Sequence, residues 1–143
     1  FILYVAGNGP LYHDLVKASS SFLSFPNIKV IFLGFVEPTA LSYYYNLSDL
    51  LIMPSLNDGE TWGISATEAY LHGCKLLLSS AVGCGFDYRN FPGVGVYKED
   101  DTHSFTTELF QLLEPISNSI FTTSQWIEYY SFKSAVAALN QFL

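Results

Sequence analysis

Residues 50–79 read LLIMPSLNDGETWGISATEAYLHGCKLLLS, and the order of signals in this stretch sets the fold. Leu50 to Met53 is a short unbroken apolar run, the pattern of a strand covered on both faces, and Pro54 stops it. A polar loop follows from Ser55 to Thr61. Trp62 to His72 reads as helix, and Gly73 stands where a left-handed residue closes a helix. Leu76 to Ser79 is the next strand. A strand followed by a helix and then a second strand returns that strand parallel to the first.

The same alternation extends both ways. Phe1 to Ala6 reads as a buried strand broken by Gly7-Asn8-Gly9-Pro10, and a helix runs on to about Ser24 with Leu11, Leu15, Ala18 and Phe22 on one face. Ile28 to Leu33 is a strand stopped by Gly34, and Thr39 is placed to cap a helix through Tyr45. Beyond Ser79, Ala81 to Phe91 is Gly-rich and irregular, Val94 to Tyr97 is a strand, and Asp101 and Thr102 precede a helix from Ser104 to about Leu113. The tail, Ser124 to Leu143, reads as one or two helices. The fold class is therefore α/β, a doubly wound parallel sheet with helices on both faces, in one domain over residues 1–143. Phe1 opens in mid-strand, which points to sequence upstream of it.

Composition removes several functions. Thirteen acids face six scattered bases for a net charge of −7, the opposite of a nucleic-acid footprint or a basic membrane patch. No apolar run is long enough for a membrane span, the longest being Val30 to Val36. Cys74 and Cys84 have no metal-ligand spacing and read as free buried thiols of a reducing, cytoplasmic compartment. His13, His72 and His103 lie far apart and read as ordinary surface or packing residues, and Glu99-Asp100-Asp101 reads as a helix-start charge, so no metal site is expected.

In parallel sheets ligands bind at the carboxyl ends of the strands. Three unusual loops belong there: Gly7 to Pro10, Gly34 to Glu37, and Pro54 to Glu60. Topology predicts that they share one edge. Glu60 and Glu68 lie eight residues apart, about 12 Å along a helix axis, too far for a hydrolytic carboxylate pair, which needs roughly 5–9.5 Å. That gap suits the two ends of a long ligand. Between them lies a helix amino terminus whose amides, from Thr61 through Trp62, Gly63 and Ile64 to Ser65, can hold phosphate oxygens, with Gly59 and Gly63 allowing close approach. Glu60 then meets hydroxyls beyond the phosphates, and Glu68 meets a ribose diol. Read singly, Glu60 is a helix-dipole charge and Glu68 a solvated helix residue.

The run from Glu60 to Glu68 resembles the E-x7-E motif of retaining GT-B glycosyltransferases, chiefly the family 4 group. Gly7-Asn8-Gly9-Pro10 looks like that family's G-x-G-P loop, and Phe32-Leu33-Gly34-Phe35-Val36 like its "flGxv" strand end. Tyr43, Tyr44, Asp49, Pro54 and Ser55 look like its "yy…adl…PS" stretch, and Glu68-Ala69 with Gly73 like its "EA…G". The likeness covers Ile2 to Ser79 well and the tail loosely. It implies a Rossmann-like domain, the C-terminal donor-binding half of a GT-B fold with its N-terminal portion missing. It implies a nucleotide-diphosphate sugar donor of UDP or GDP type, glycosyl transfer with retention, and no metal or other cofactor. The resemblance gives Glu60 the sugar hydroxyls as the catalytic residue, and Glu68 the ribose. Gly7, Gly9, Gly59 and the segment from Thr61 to Ser65 join the donor site, with the base against Phe35 and Val36. A sugar or lipid-linked acceptor would bind through the missing half, which would also carry any peripheral membrane attachment, in polysaccharide or glycolipid assembly. The family's diphosphate-binding Arg and Lys have no counterpart in the motif here. A non-catalytic remnant and a glycogen-synthase- or phosphorylase-like enzyme are the alternatives.

Overall fold

The computed structural model describes residues 1–57 and 59–114, leaving aside the side chain of Leu23; Asp58 and the predicted tail helices lie outside the described residues. The chain divides into two compact units, Phe1–Leu41 and Ser42–Leu143.

In the first unit β1 (Ile2–Ala6) pairs in parallel with β2 (Lys29–Gly34), Ile2 facing Lys29 and Val5 facing Phe32, with a register shift before Ala6. The connection is α1 (Tyr12–Ser19) followed by a 3-10 segment, Ser20–Ser24, where one helix was expected. The tightening has a local cause. The hydroxyls of Ser19, Ser20 and Ser21 donate to the carbonyls of Val16, Lys17 and Ala18 at 2.7, 2.6 and 2.7 Å, competing with the helical ladder. The predicted apolar face also stays open, since Leu11, Leu15 and Phe22 are exposed. A two-stranded sheet has too little surface to cover it. α2 (Pro38–Leu47) begins with Pro38 at its first position, where a missing amide is harmless, so the expected cap Thr39 lies inside the helix.

The second unit holds β3 (Leu50–Met53), β4 (Lys75–Ser79) and β5 (Val94–Tyr97), all parallel in the order β3-β4-β5. Its helices are α3 (Ile64–Leu71), α4 (Gly85–Tyr88) and α5 (Thr102–Leu113). The central strand is the driest: Leu76, Leu77 and Leu78 are fully buried, each contributing about 1.5–3 kcal/mol. Period-two alternation sorts them. Leu77 packs with Tyr97, Leu112, Leu50, Ile52, Phe105 and Leu109, the α5 side. Leu76 and Leu78 take the other face, where α3 and α4 lie; a β-carbon on Gly85 of α4 would stand 3.7 Å from the methyls of Val96, the register partner of Leu78. Helices flank this parallel sheet on both sides, the α/β architecture the periodicity predicts.

Helix ends are closed by named groups. Asp101 caps α5, accepting from the Ser104 amide at 2.9 Å, while Ser104 Oγ accepts from the Lys98 amide at 3.0 Å. The Ser104 amide holds the Asp101 carboxyl below its ordinary range. At the other end the Lys75 ammonium donates to the carbonyls of Leu112 and Glu114, where the helix dipole favours a cation. α3 ends as predicted at Gly73, whose amide donates to Tyr70 O at 3.0 Å while that of Cys74 reaches Ala69 O at 3.0 Å. Cys74 and Cys84 are free and buried, as expected. Among the described residues no helix is long and apolar enough to cross a membrane.

Candidate functional site at the carboxyl ends of the second sheet

The loop after β3 does not hang free. Glu60 forms an isolated parallel bridge with Val82, in the loop after β4. The amide of Gly83 donates to Glu60 O at 3.1 Å, and that of Cys84 to Trp62 O at 2.8 Å. Strand-like pairing therefore continues past the sheet and knits the two loops together. The tight packing excludes side chains: a β-carbon on Gly63 would lie 2.8 Å from Val82 Cγ1, and Gly63 itself has φ of +99°. That left-handed turn moves the helix start from the expected Trp62 to Ile64.

Of the amides expected to face an anion, the one at Gly63 donates to Glu60 Oε1 at 3.1 Å. The Glu60 carboxylate thus caps the turn with one oxygen. Thr61 and Trp62 lie in the turn before α3. The amides of Ile64 and Ser65, the first two of the helix, have no backbone acceptor among the described residues, as a helix start requires.

Glu68 sits one turn further along α3, half-buried. Tyr45 Oη donates to its Oε2 at 3.3 Å. The Ser65 hydroxyl bonds the same phenol. Tyr45 is itself buried, and that burial first, then the Glu68 charge, pushes the phenol pKa up, so it stays protonated and able to donate. Thr67 Oγ1 and Tyr88 Oη pair at 2.8 Å, tying α3 to α4.

A cleft of about 390 Å³ opens beside the bridge, lined by Glu60, Thr61, Ser80, Ala81, Val82, Gly83 and Phe86. Its rim is braced from the third loop of the sheet. Glu99, just after β5, accepts from the Asn57 amide through Oε2 at 2.8 Å, and its own amide donates to Ser80 Oγ at 3.0 Å. Phe86 is 69% exposed, and the Arg89 guanidinium stands 4.1 Å from its ring centre.

Of the remaining predicted residues, one adjoins Glu60 and four belong to the first unit. Gly59 lies in the turn before Glu60, its amide donating to Leu56 O at 3.0 Å. Gly7, Gly9, Phe35 and Val36 belong to the first unit. There the Gly7 amide donates to Gly34 O at 2.6 Å, so the loops after β1 and β2 lie side by side. Gly9 O accepts from the Tyr12 amide at 3.1 Å. Phe35 is exposed and Val36 half-buried, just beyond β2.

A family model described as glycosyl transferases group 1 matches residues 1–115. The chain belongs to that family. No curated protein matches the chain. A group 1 glycosyl transferase moves a glycosyl group from a donor to an acceptor, and this chain carries a Rossmann-like domain of the GT-B type.

The second unit thus brings together a carboxylate at a cleft, the start of α3 just after it, and a second carboxylate along that helix. Sequence reasoning missed the opposite wall, Ser80 to Gly83 with Phe86, having read that segment only as irregular. The signal was present, because the segment follows the carboxyl end of β4 and carries Gly83-Cys84-Gly85. It also missed Tyr45. Three consecutive tyrosines, Tyr43 to Tyr45, are equal candidates by sequence, and only the rotation of α2 selects one. Arg89, set aside with the other scattered bases, stands beside the cleft through Phe86. The three histidines are exposed, as expected.

Proposed function

We propose that the chain binds a nucleoside-diphosphate sugar of UDP or GDP type and that the enzyme transfers its hexosyl group with retention, in polysaccharide or glycolipid assembly. The observation that supports this reading most is the order along one short segment: the Glu60 carboxylate at the cleft, the Ile64 and Ser65 amides, then Glu68. In this scheme the free oxygen of Glu60 receives sugar hydroxyls. The helix-start amides carry the diphosphate, stabilising the charge that develops on the leaving group. Glu68, steadied by Tyr45, accepts from the ribose diol.

A nucleotide-binding remnant without turnover is the second reading. It draws on the Glu60–Gly63 bond, which gives Glu60 a structural task of its own. The test for donor binding is an amide-shift titration of the chain with UDP, GDP and ADP by NMR, with Glu68→Ala as control. Donor binding predicts shifts centred on Thr61 to Glu68 and a loss of about tenfold or more in affinity in the variant, as for a hydrogen bond to a charged group. No shift with any nucleotide at several millimolar would sink it. Turnover of the bound sugar nucleotide then separates transferase from remnant.

A further inference from the structure

We propose that Phe86 is a stacking platform for a pyranose ring, and that it selects the sugar in the cleft it shares with Glu60 and Ser80. The inference rests on the sugar-nucleotide reading above. Phe86 lines the cleft yet leaves 69% of its surface in water. An exposed phenylalanine is ordinary on a protein surface. This one differs in three respects.

First, the backbone that carries the ring is anchored. It stands on α4, where the preceding Gly85 is buried and Tyr88 is only 1% exposed. Tyr88 Oη pairs with Thr67 on α3 at 2.8 Å, so the platform is fixed to the helix that carries Glu68. Second, the ring already has a cation over one face, with Arg89 at 4.1 Å from its centre. The guanidinium orients the ring and brings several N–H donors beside it. Third, the other groups in the cleft are those a sugar needs. Glu60 has a carboxylate oxygen beyond the one bonded to Gly63. Ser80 Oγ accepts from the Glu99 amide at 3.0 Å, which leaves its proton to donate. The C–H groups on one face of a pyranose carry partial positive charge and meet the negative face of an aromatic ring, while the equatorial hydroxyls reach carboxylate and hydroxyl partners. A cleft of about 390 Å³ has room for such a ring.

The experiment measures affinities of the 143-residue chain for UDP, UDP-glucose, GDP and GDP-mannose, and saturation transfer to methyl α-D-glucoside and methyl α-D-mannoside. Each is repeated with Phe86→Ala, Phe86→Leu and Phe86→Tyr. The platform predicts that Phe86→Ala and Phe86→Leu lower the advantage of a sugar nucleotide over its bare nucleotide by about threefold to tenfold. Phe86→Tyr keeps that advantage, and bare nucleotide affinity is unchanged in all three. An effect on the sugar nucleotides assigns the ring to the donor, and an effect on the free glycosides alone assigns it to the acceptor. Glycoside signals that depend on Phe86 without any nucleotide binding would sink the donor reading and leave the platform standing. Sugar binding that is unaltered in Phe86→Ala and Phe86→Leu, or no sugar binding of either kind, overturns the proposal.

Discussion

A β-carbon placed on Gly83 would lie 2.0 Å from the carbonyl oxygen of Thr61, and backbone cannot yield there as a side chain can. Gly83→Ala should therefore lower stability by about 2–4 kcal/mol, read as a fall in the urea midpoint with an unchanged slope. Gly63→Ala should cost about 2 kcal/mol, from its positive φ and the nearby Val82 methyl. A third residue responds to pH. Burial pushes the Cys84 thiol up to about 11 from an ordinary 9.0. A pKa raised by folding means that the folded chain resists losing the proton, so this contribution is complete below pH 9 and lost as pH rises towards 11. The buried phenols of Tyr45, Tyr70, Tyr88 and Tyr97 shift in the same direction for the same cause. Melting temperature should fall steadily above pH 9, and both cysteines should resist a thiol reagent at pH 8 until the chain is unfolded. A melting curve flat to pH 11 would contradict this. At this scale the placement of Glu60 just before α3 and of Glu68 on it was legible, because spacing within one loop-helix segment is a local property. Gly83 and Tyr45 were not, because what makes them matter is a contact with a residue distant in sequence.

At the scale of the element, local chemistry announced most of the boundaries. Pro54, Gly73 and Asp101 each end or begin an element where their backbone preferences dictate. Two helix boundaries shift, each for its own reason. The left-handed turn at Gly63 is held by pairing with the loop after β4, and the 3-10 segment from Ser20 is drawn by hydroxyls that a periodicity count ignores. Lys75 supplies a test at this scale, since it closes the carboxyl end of α5 from the first position of β4. Lys75→Met keeps the aliphatic stem but leaves the Leu112 and Glu114 carbonyls without their cation. It should lower stability by about 0.5–1 kcal/mol and speed amide exchange in the last turn of α5. Equal exchange in the two proteins would show the contact to be idle.

For the whole molecule, burial is distributed unevenly. Every buried hydrophobic residue among those described lies between Tyr45 and Leu112. Within the first unit the strands pair, but their side chains remain open or half-open. Regions with few buried apolar contacts open at low free energy, so amides of β1 and β2 should exchange well before those of β3, β4 and β5. Equal protection across all five strands would refute that ranking. The parallel α/β class was legible because alternating elements leave few alternatives. The imbalance was not, since Phe1 to Ala6 and Leu76 to Ser79 look equally apolar in one dimension.

The bridge between Glu60 and Val82 also bears on how such a site changes over generations. Two loops joined by backbone pairing and pressed together at Gly83 cannot drift apart one substitution at a time. Heritable variation in what the cleft accepts is thus channelled to side chains that hang into it without holding it, Phe86 first. A saturation library across residues 59–86 would display that channel as tolerated diversity at Phe86 beside near-silence at Gly63 and Gly83.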